Sequence, residues 1–260
     1  TASFLESMEL RATNSQRAHD ARTAARAEAV TEMQAHLAAE ELSLALRSAV
    51  EVQTLSEDFD DAFENGDIRT IIDWARSTIP QVESDRDWLL AQELLFRLRT
   101  LYDDTDRSDE YEKYNSQLEE VNQRVALLAR YAPRRLHDLR VAAAERAGEE
   151  IAEYNETLTE DWRERNAGID DHMLRVSLAT AAREHIEQHG WRPLLEGGLE
   201  SLRTLATTPS LDESFTGLGD EAKVSEWVDR LDGQLDRLSR IPDADLSSWS
   251  LSQMLRAVSY

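Results

Sequence analysis

The chain has 260 residues, 41% of them apolar, and a formal net charge of −23 from 52 acidic and 29 basic side chains. That is enough apolar material for a core, in one elongated domain or two compact ones, and it excludes wholesale disorder. Cysteine is absent, which removes disulfides, thiolate metal sites and cysteine nucleophiles, while the acidity disfavours nucleic acid, whose binding rests on neutralised phosphates.

No stretch alternates apolar and polar residues as a strand would, and neither Gly nor Pro occurs before Gly66. Residues from about 12 to 55 therefore predict one long helix, ~65 Å at 1.5 Å per residue, facing inward with Val30, Met33, Leu37, Leu44, Val52 and Leu55. A short helix follows at Phe59 and Phe63, ended by the polar run 64–67, then a third with Ile68, Ile71, Ile72 and Ala75 before Pro80. The segment near 84–102 is apolar around most of its circumference and predicts the most buried element.

After a polar connection at 103–109, Tyr111, Tyr114, Leu118, Val121, Val125 and Leu128 are spaced 3, 4, 3, 4 and 3 apart. That is the coiled-coil period, over too short a run to prove a coiled coil. Pro133 marks a joint, either the first residue of a new helix or a kink, and a second long helix is expected over about 134–166, closed by Gly168. Further helices are expected over about 170–189 and 191–206. The loop 207–220 is the candidate boundary, and a helical hairpin over 221–260, with Pro242 between its arms, is expected to pack on the same bundle. The expected fold is all-α: an elongated up-and-down helical bundle with two long helices and short antiparallel coiled-coil-like packing.

Only Lys113 and Lys223 are lysine. A carboxylate-rich surface repels itself in dilute buffer, whereas at ~1 M salt the Debye length is ~3 Å and the repulsion is screened. The composition thus points to a salt-filled cytoplasm; a GC-rich genome that replaces lysine codons is the competing explanation. No apolar run approaches the ~20 residues of a membrane span, and the opening residues lack the basic-then-apolar pattern of a signal peptide. The cytoplasm is the expected location.

Chemistry-bearing patterns are sparse. No acidic residue stands three before any histidine, which excludes the di-iron bundle motif. His185 and His189, one turn apart, form a weak metal or acid/base candidate, against a structural reading in which His189 sits at a helix C-terminus. The acidic runs lack the glycine and terminal acid of a calcium loop. Residues 60–64, DDAFE, resemble a weakened form of the aspartate motif of prenyl-transferring and terpene-cyclising enzymes, which implies magnesium. Asp60, Asp61 and Glu64, however, are turned mainly away from the apolar face of Phe59, Ala62 and Phe63. Walker sequences, dinucleotide fingerprints and serine elbows are absent. No catalytic residue and no cofactor is assigned.

What stands out is positive charge at the joint: Arg130, Arg134, Arg135, His137 and Arg140, with Asp138 as an expected local partner of Arg134. Residues 1–28 form a second candidate, because Arg11, Arg17, Arg22 and Arg26 balance four acids and leave a neutral, alanine-rich arm. Both are candidate protein-interaction surfaces, and each has an intramolecular alternative. The expected function is a non-enzymatic structural, adaptor or self-assembling protein adapted to high salt, with a protein partner or self-association. The alternative is a helical enzyme or metal- or small-molecule-binding protein using His185 and His189.

Overall fold

The computed structural model describes residues 2–156, 161–184 and 190–259, with the side chains of 2–7 and 9 left aside. Among the described residues 80% are helical, in eleven α-helices, and none lies in a strand. The chain divides into two compact units, Thr1–Val121 and Asn122–Tyr260, with the division inside a helix rather than at the 207–220 loop.

In the first unit, α1 (Ala2–Ala38) and α2 (Leu42–Thr54) form an antiparallel hairpin. The single helix expected over 12–55 is therefore two. Glu40 takes the left-handed conformation (φ 58°), and the Glu41 amide donates back to the His36 carbonyl at 3.0 Å, closing the end of α1 as a glycine ordinarily would. The reversal shifts the buried register. Leu44, expected inside, is exposed, while Leu42, Ala45, Leu46 and Ala49 are buried.

The sequence around Phe59 forms a 3-10 turn, Asp60–Glu64, and the next helix α3 (Gly66–Ser84) starts at Asn65. The Asn65 side chain accepts from the amides of Asp67 and Ile68 at 2.8 and 3.4 Å, satisfying donors at the helix start. Pro80 lies within α3, and Ile79 and Val82 around it are buried, so the helix does not stop there. Helix α4 (Trp88–Tyr102), capped by Asp87, buries seven of its fifteen residues, and Leu95, Leu98 and Leu101 are inaccessible. Its one outward aromatic is Phe96. Helices α2, α3 and α4 pack on one another. In α5 (Ser108–Tyr131) the predicted seam is real: Tyr114, Leu118, Val121 and Leu128 are buried, with Tyr111 and Val125 half-buried.

Polar side chains tie this core together. Gln53 donates to the Leu101 carbonyl at 2.6 Å. Arg76 reaches the Tyr114 hydroxyl at 2.7 Å and the Tyr102 hydroxyl at 2.9 Å. The rings of Phe63, Tyr102 and Tyr114 stack in series at 5.1 and 5.5 Å. Burial pushes the Tyr102 phenol up to about 12, against the opposing pull of Arg76.

In the second unit, Pro133 is the first residue of α6 (Pro133–Ala147), not a kink. The long helix expected over 134–166 is absent. Gly148 adopts φ 70°, and the Glu149 amide donates to the Ala144 carbonyl at 2.8 Å, which stops α6 twenty residues before Gly168. Helices α7 (Trp162–Asn166), α8 (Asp171–Glu184), α9 (Arg192–Thr207), α10 (Glu221–Ser239) and α11 (Ser248–Val258) follow. Helix α10 packs against α9 and α11 around Leu195, Leu199, Leu231, Leu238, Leu251 and Val258. Arg192 donates to the Leu238 carbonyl at 3.2 Å and to that of Ile241, so one cation satisfies acceptors at the end of α10. The 207–220 segment is not a free linker, because Leu211 is fully buried and Thr208 nearly so.

Candidate functional site

The arginine-rich joint is only partly consumed inside the chain. Arg134 meets Glu156 at 3.5 Å, an exposed pair, in place of the expected Asp138. The His137 ring lies 5.4 Å from that of Tyr154. Arg130, Arg135 and Arg140 make no ion pair among the described residues, and Arg130 and Arg140 are exposed. Tyr131 fastens the joint from beneath. Its ring meets Trp162 and Phe215 edge-on at 5.2 and 4.9 Å, and its carbonyl accepts from Ser214 at 2.5 Å. Aromatic packing holds the joint, and most of its guanidinium groups are left to solvent.

The arm behaves differently along its length. Every residue from Leu10 to Ala24 is exposed, whereas Ala29 and Met33 further along α1 are buried against α2. Arg11, Arg17 and Arg22 are exposed, and Arg26 donates to the Ser56 hydroxyl at 3.1 Å. His19 meets Glu57 at 3.3 Å. Together His19, Arg22 and Arg26 line a groove of about 510 Å³, with Ser56, Glu57 and Asp61 also on it and Val30 and Leu55 among its apolar walls. Two predicted arm residues thus come together in a groove, while Arg11 and Arg17 stand apart from it.

Asp60 of the DDAFE run has a local role. Its carboxylate pairs with Arg107 and accepts from the Asp106 amide at 3.0 Å, and Arg107 lies 4.1 Å over the Phe63 ring. The acid anchors the 103–109 connection, and Asp61 and Glu64 are exposed. Among the described residues no group of three or more His, Asp or Glu could hold a metal ion. His185 and His189 lie outside the described residues. Among those searched, no helix is long and apolar enough to cross a membrane.

A feature that periodicity did not disclose is a groove of about 610 Å³ within the second unit. Leu205, Phe215, Leu218, Val224, Trp227 and Val258 give it apolar walls, and Lys223, Glu226 and Arg230 provide the polar ones. The Trp227 indole N–H donates to the Val258 carbonyl at 2.9 Å, which fixes the ring and the end of α11 together. Lys223 meets Asp220 at 3.0 Å, and that hydrogen bond holds the Asp220 carboxyl below the usual range. Arg230 meets Glu226 at 3.2 Å, but its Nε is buried with no hydrogen-bond partner. The sequence signal was Trp227, an aromatic placed beside the Val224–Val228–Leu231 stripe.

The chain matches no known protein family, no curated protein and no solved structure.

Proposed function

We propose that the chain is a non-enzymatic α-helical interaction protein that engages a protein partner or a second copy of itself through the first half of α1, with the free arginines of the 130–140 joint as a second contact. The observation that carries this reading is the exposure of every residue from Leu10 to Ala24 in a helix whose later turns are packed. Helical stability in water comes chiefly from burying a face, and this stretch buries none. It also lies within residues 1–28, which are neutral in a chain of −23, so the arm meets the least repulsion from another acidic surface.

The reading includes an elongated up-and-down arrangement, a cytoplasmic setting and adaptation to high salt. Mass measurement with X-ray scattering in molar KCl tests the first part. The expected result is a self-associated or partner-bound species that is lost on deleting residues 1–24, with the helical signal of the remainder unchanged. A monomer that behaves identically with and without the arm, and that captures no partner, overturns it. The saline part predicts a melting temperature that rises from dilute to molar KCl as screening relieves carboxylate repulsion.

A further inference from the structure

We propose that the apolar groove of the second unit is a binding site for an aliphatic carboxylate, a chain of fatty-acid type, with the tail along Leu205, Leu218, Val224 and Val258 and the anionic end at Lys223 and Arg230. This inference is independent of the interaction surfaces on α1 and the joint.

Four observations converge. A volume of about 610 Å³ falls in the range of small-ligand sites, roughly 300–1,000 Å³ with apolar walls and a few polar groups. The walls are preformed, because the Trp227–Val258 hydrogen bond locks α10 to α11 at the groove, and preorganisation lowers the cost of binding. The charge is unusual for this chain: two cations and one acid, Glu226, line the groove. Lys223 is paired to Asp220 beside it and Arg230 to Glu226, so a bound carboxylate competes with both acids. One of the cations is Lys223, one of two lysines in the sequence.

One of the groove's own cations has unmet hydrogen bonding. Arg230 Nε is buried without an acceptor; of the four such donors among the described residues, with Arg97, Arg99 and Trp162, it is the one on the groove wall. Buried orphan groups are uncommon and call for a partner. A donor selects an acceptor such as a carboxylate over an amine. Arg230 turning its guanidinium from Glu226 towards the carboxylate would satisfy it. Arginine suits that role because its fork matches a carboxylate bidentately.

Calorimetric titration of the full-length chain with decanoate, 1-decanol and decyltrimethylammonium tests the proposal, with the tryptophan indole N–H resonances followed by NMR. Decanoate is expected to bind and to shift the Trp227 signal. Each of Lys223→Gln and Arg230→Gln is expected to weaken it about tenfold or more, since a hydrogen bond to a charged group is worth about 1.5 kcal/mol or more. Val224→Trp, which fills the groove, should abolish binding while the circular dichroism stays that of the parent. The double variant Lys223→Gln/Arg230→Gln leaves the apolar walls intact and separates a lost anion contact from a lost groove. Absence of decanoate binding overturns the proposal, as does equal affinity for the alcohol or the cation. Binding that leaves Trp227 undisturbed overturns it too.

Discussion

The two units differ in what lies beside their polar side chains. In the first, Gln53 reaches a carbonyl of α4, Arg76 bridges two tyrosine hydroxyls, and Asp60 holds Arg107 over Phe63. Both units keep buried donors without acceptors, Arg97 and Arg99 Nε in the first, Arg230 Nε and the Trp162 indole N–H in the second. Only Arg230 among these four lines a groove with largely apolar walls, and that groove is what sets the second unit apart.

The contrast is broken most severely in the core of the first unit. Leu98 is wholly inaccessible in α4, and Leu98→Ala is expected to cost about 2–5 kcal/mol through lost burial and the cavity left behind. Leu218 lies half-buried on the groove wall, so Leu218→Ala should cost under about 1 kcal/mol. Denaturant midpoints of the two variants check this. Equal losses would mean that the groove wall is as tightly packed as the core.

A smaller effect follows from the Tyr102 phenol, raised to about 12 by burial and partly countered by Arg76. The native state holds that proton more tightly than the unfolded chain does, whose phenol ionises near its ordinary value of about 10. The stabilising contribution is therefore complete below pH ~10 and is lost as pH rises towards 12. Tyrosinate absorbance during an alkaline titration should show one late-titrating group that disappears in Tyr102→Phe. The variant should also lose part of the stability drop that the parent shows over that interval. A phenol that titrates near its ordinary value would show Tyr102 to be less buried than drawn, since burial is what raises it and Arg76 opposes that rise.

The all-α class and the inward face of α5 were legible from the sequence because they rest on periodicity, which survives at the scale of single turns, whereas the face of α2 was not, with Leu44 exposed and Leu42 and Leu46 buried. The α5 seam and the apolar wrap of α4 are both of this kind. Helix ends were less legible: the 64–67 run reads as the end of one helix where Asn65 in fact caps the start of the next, and Pro133 reads equally as a first helical residue or a kink. Gly148 carried a stop signal that the continuing run of apolar positions masked, and the long helix over 134–166 was drawn through it. The groove of the second unit was the least legible feature. It depends on where α9, α10, α11 and the 207–220 loop meet, and single-helix patterns do not encode that meeting. Of the arm residues, the spacing of His19, Arg22 and Arg26 put them on one face, but the opposing Ser56 and Glu57 follow only from the α1–α2 reversal.

That reversal yields the smallest predicted effect and lies where the local sequence alone would continue a helix. Residues 35–45 contain neither Gly nor Pro, so nothing in them breaks a helix. The turn is imposed from outside, by the burial of Leu42, Leu46 and Ala49 against the rest of the core, and Glu40 is held at φ 58° as a result. A non-glycine residue there carries a steric cost of about 1–2 kcal/mol, which tertiary packing offsets. Glu40→Gly removes the Cβ responsible but adds unfolded-state entropy. The net expectation is a gain of up to about 1 kcal/mol, read as a higher denaturant midpoint with an unchanged slope. The complementary change, Glu40→Val, places a branched side chain in the same left-handed position and should lower the midpoint. If both variants matched the parent, α1 would run straight on through residue 40 and the hairpin beneath the first unit would be wrong.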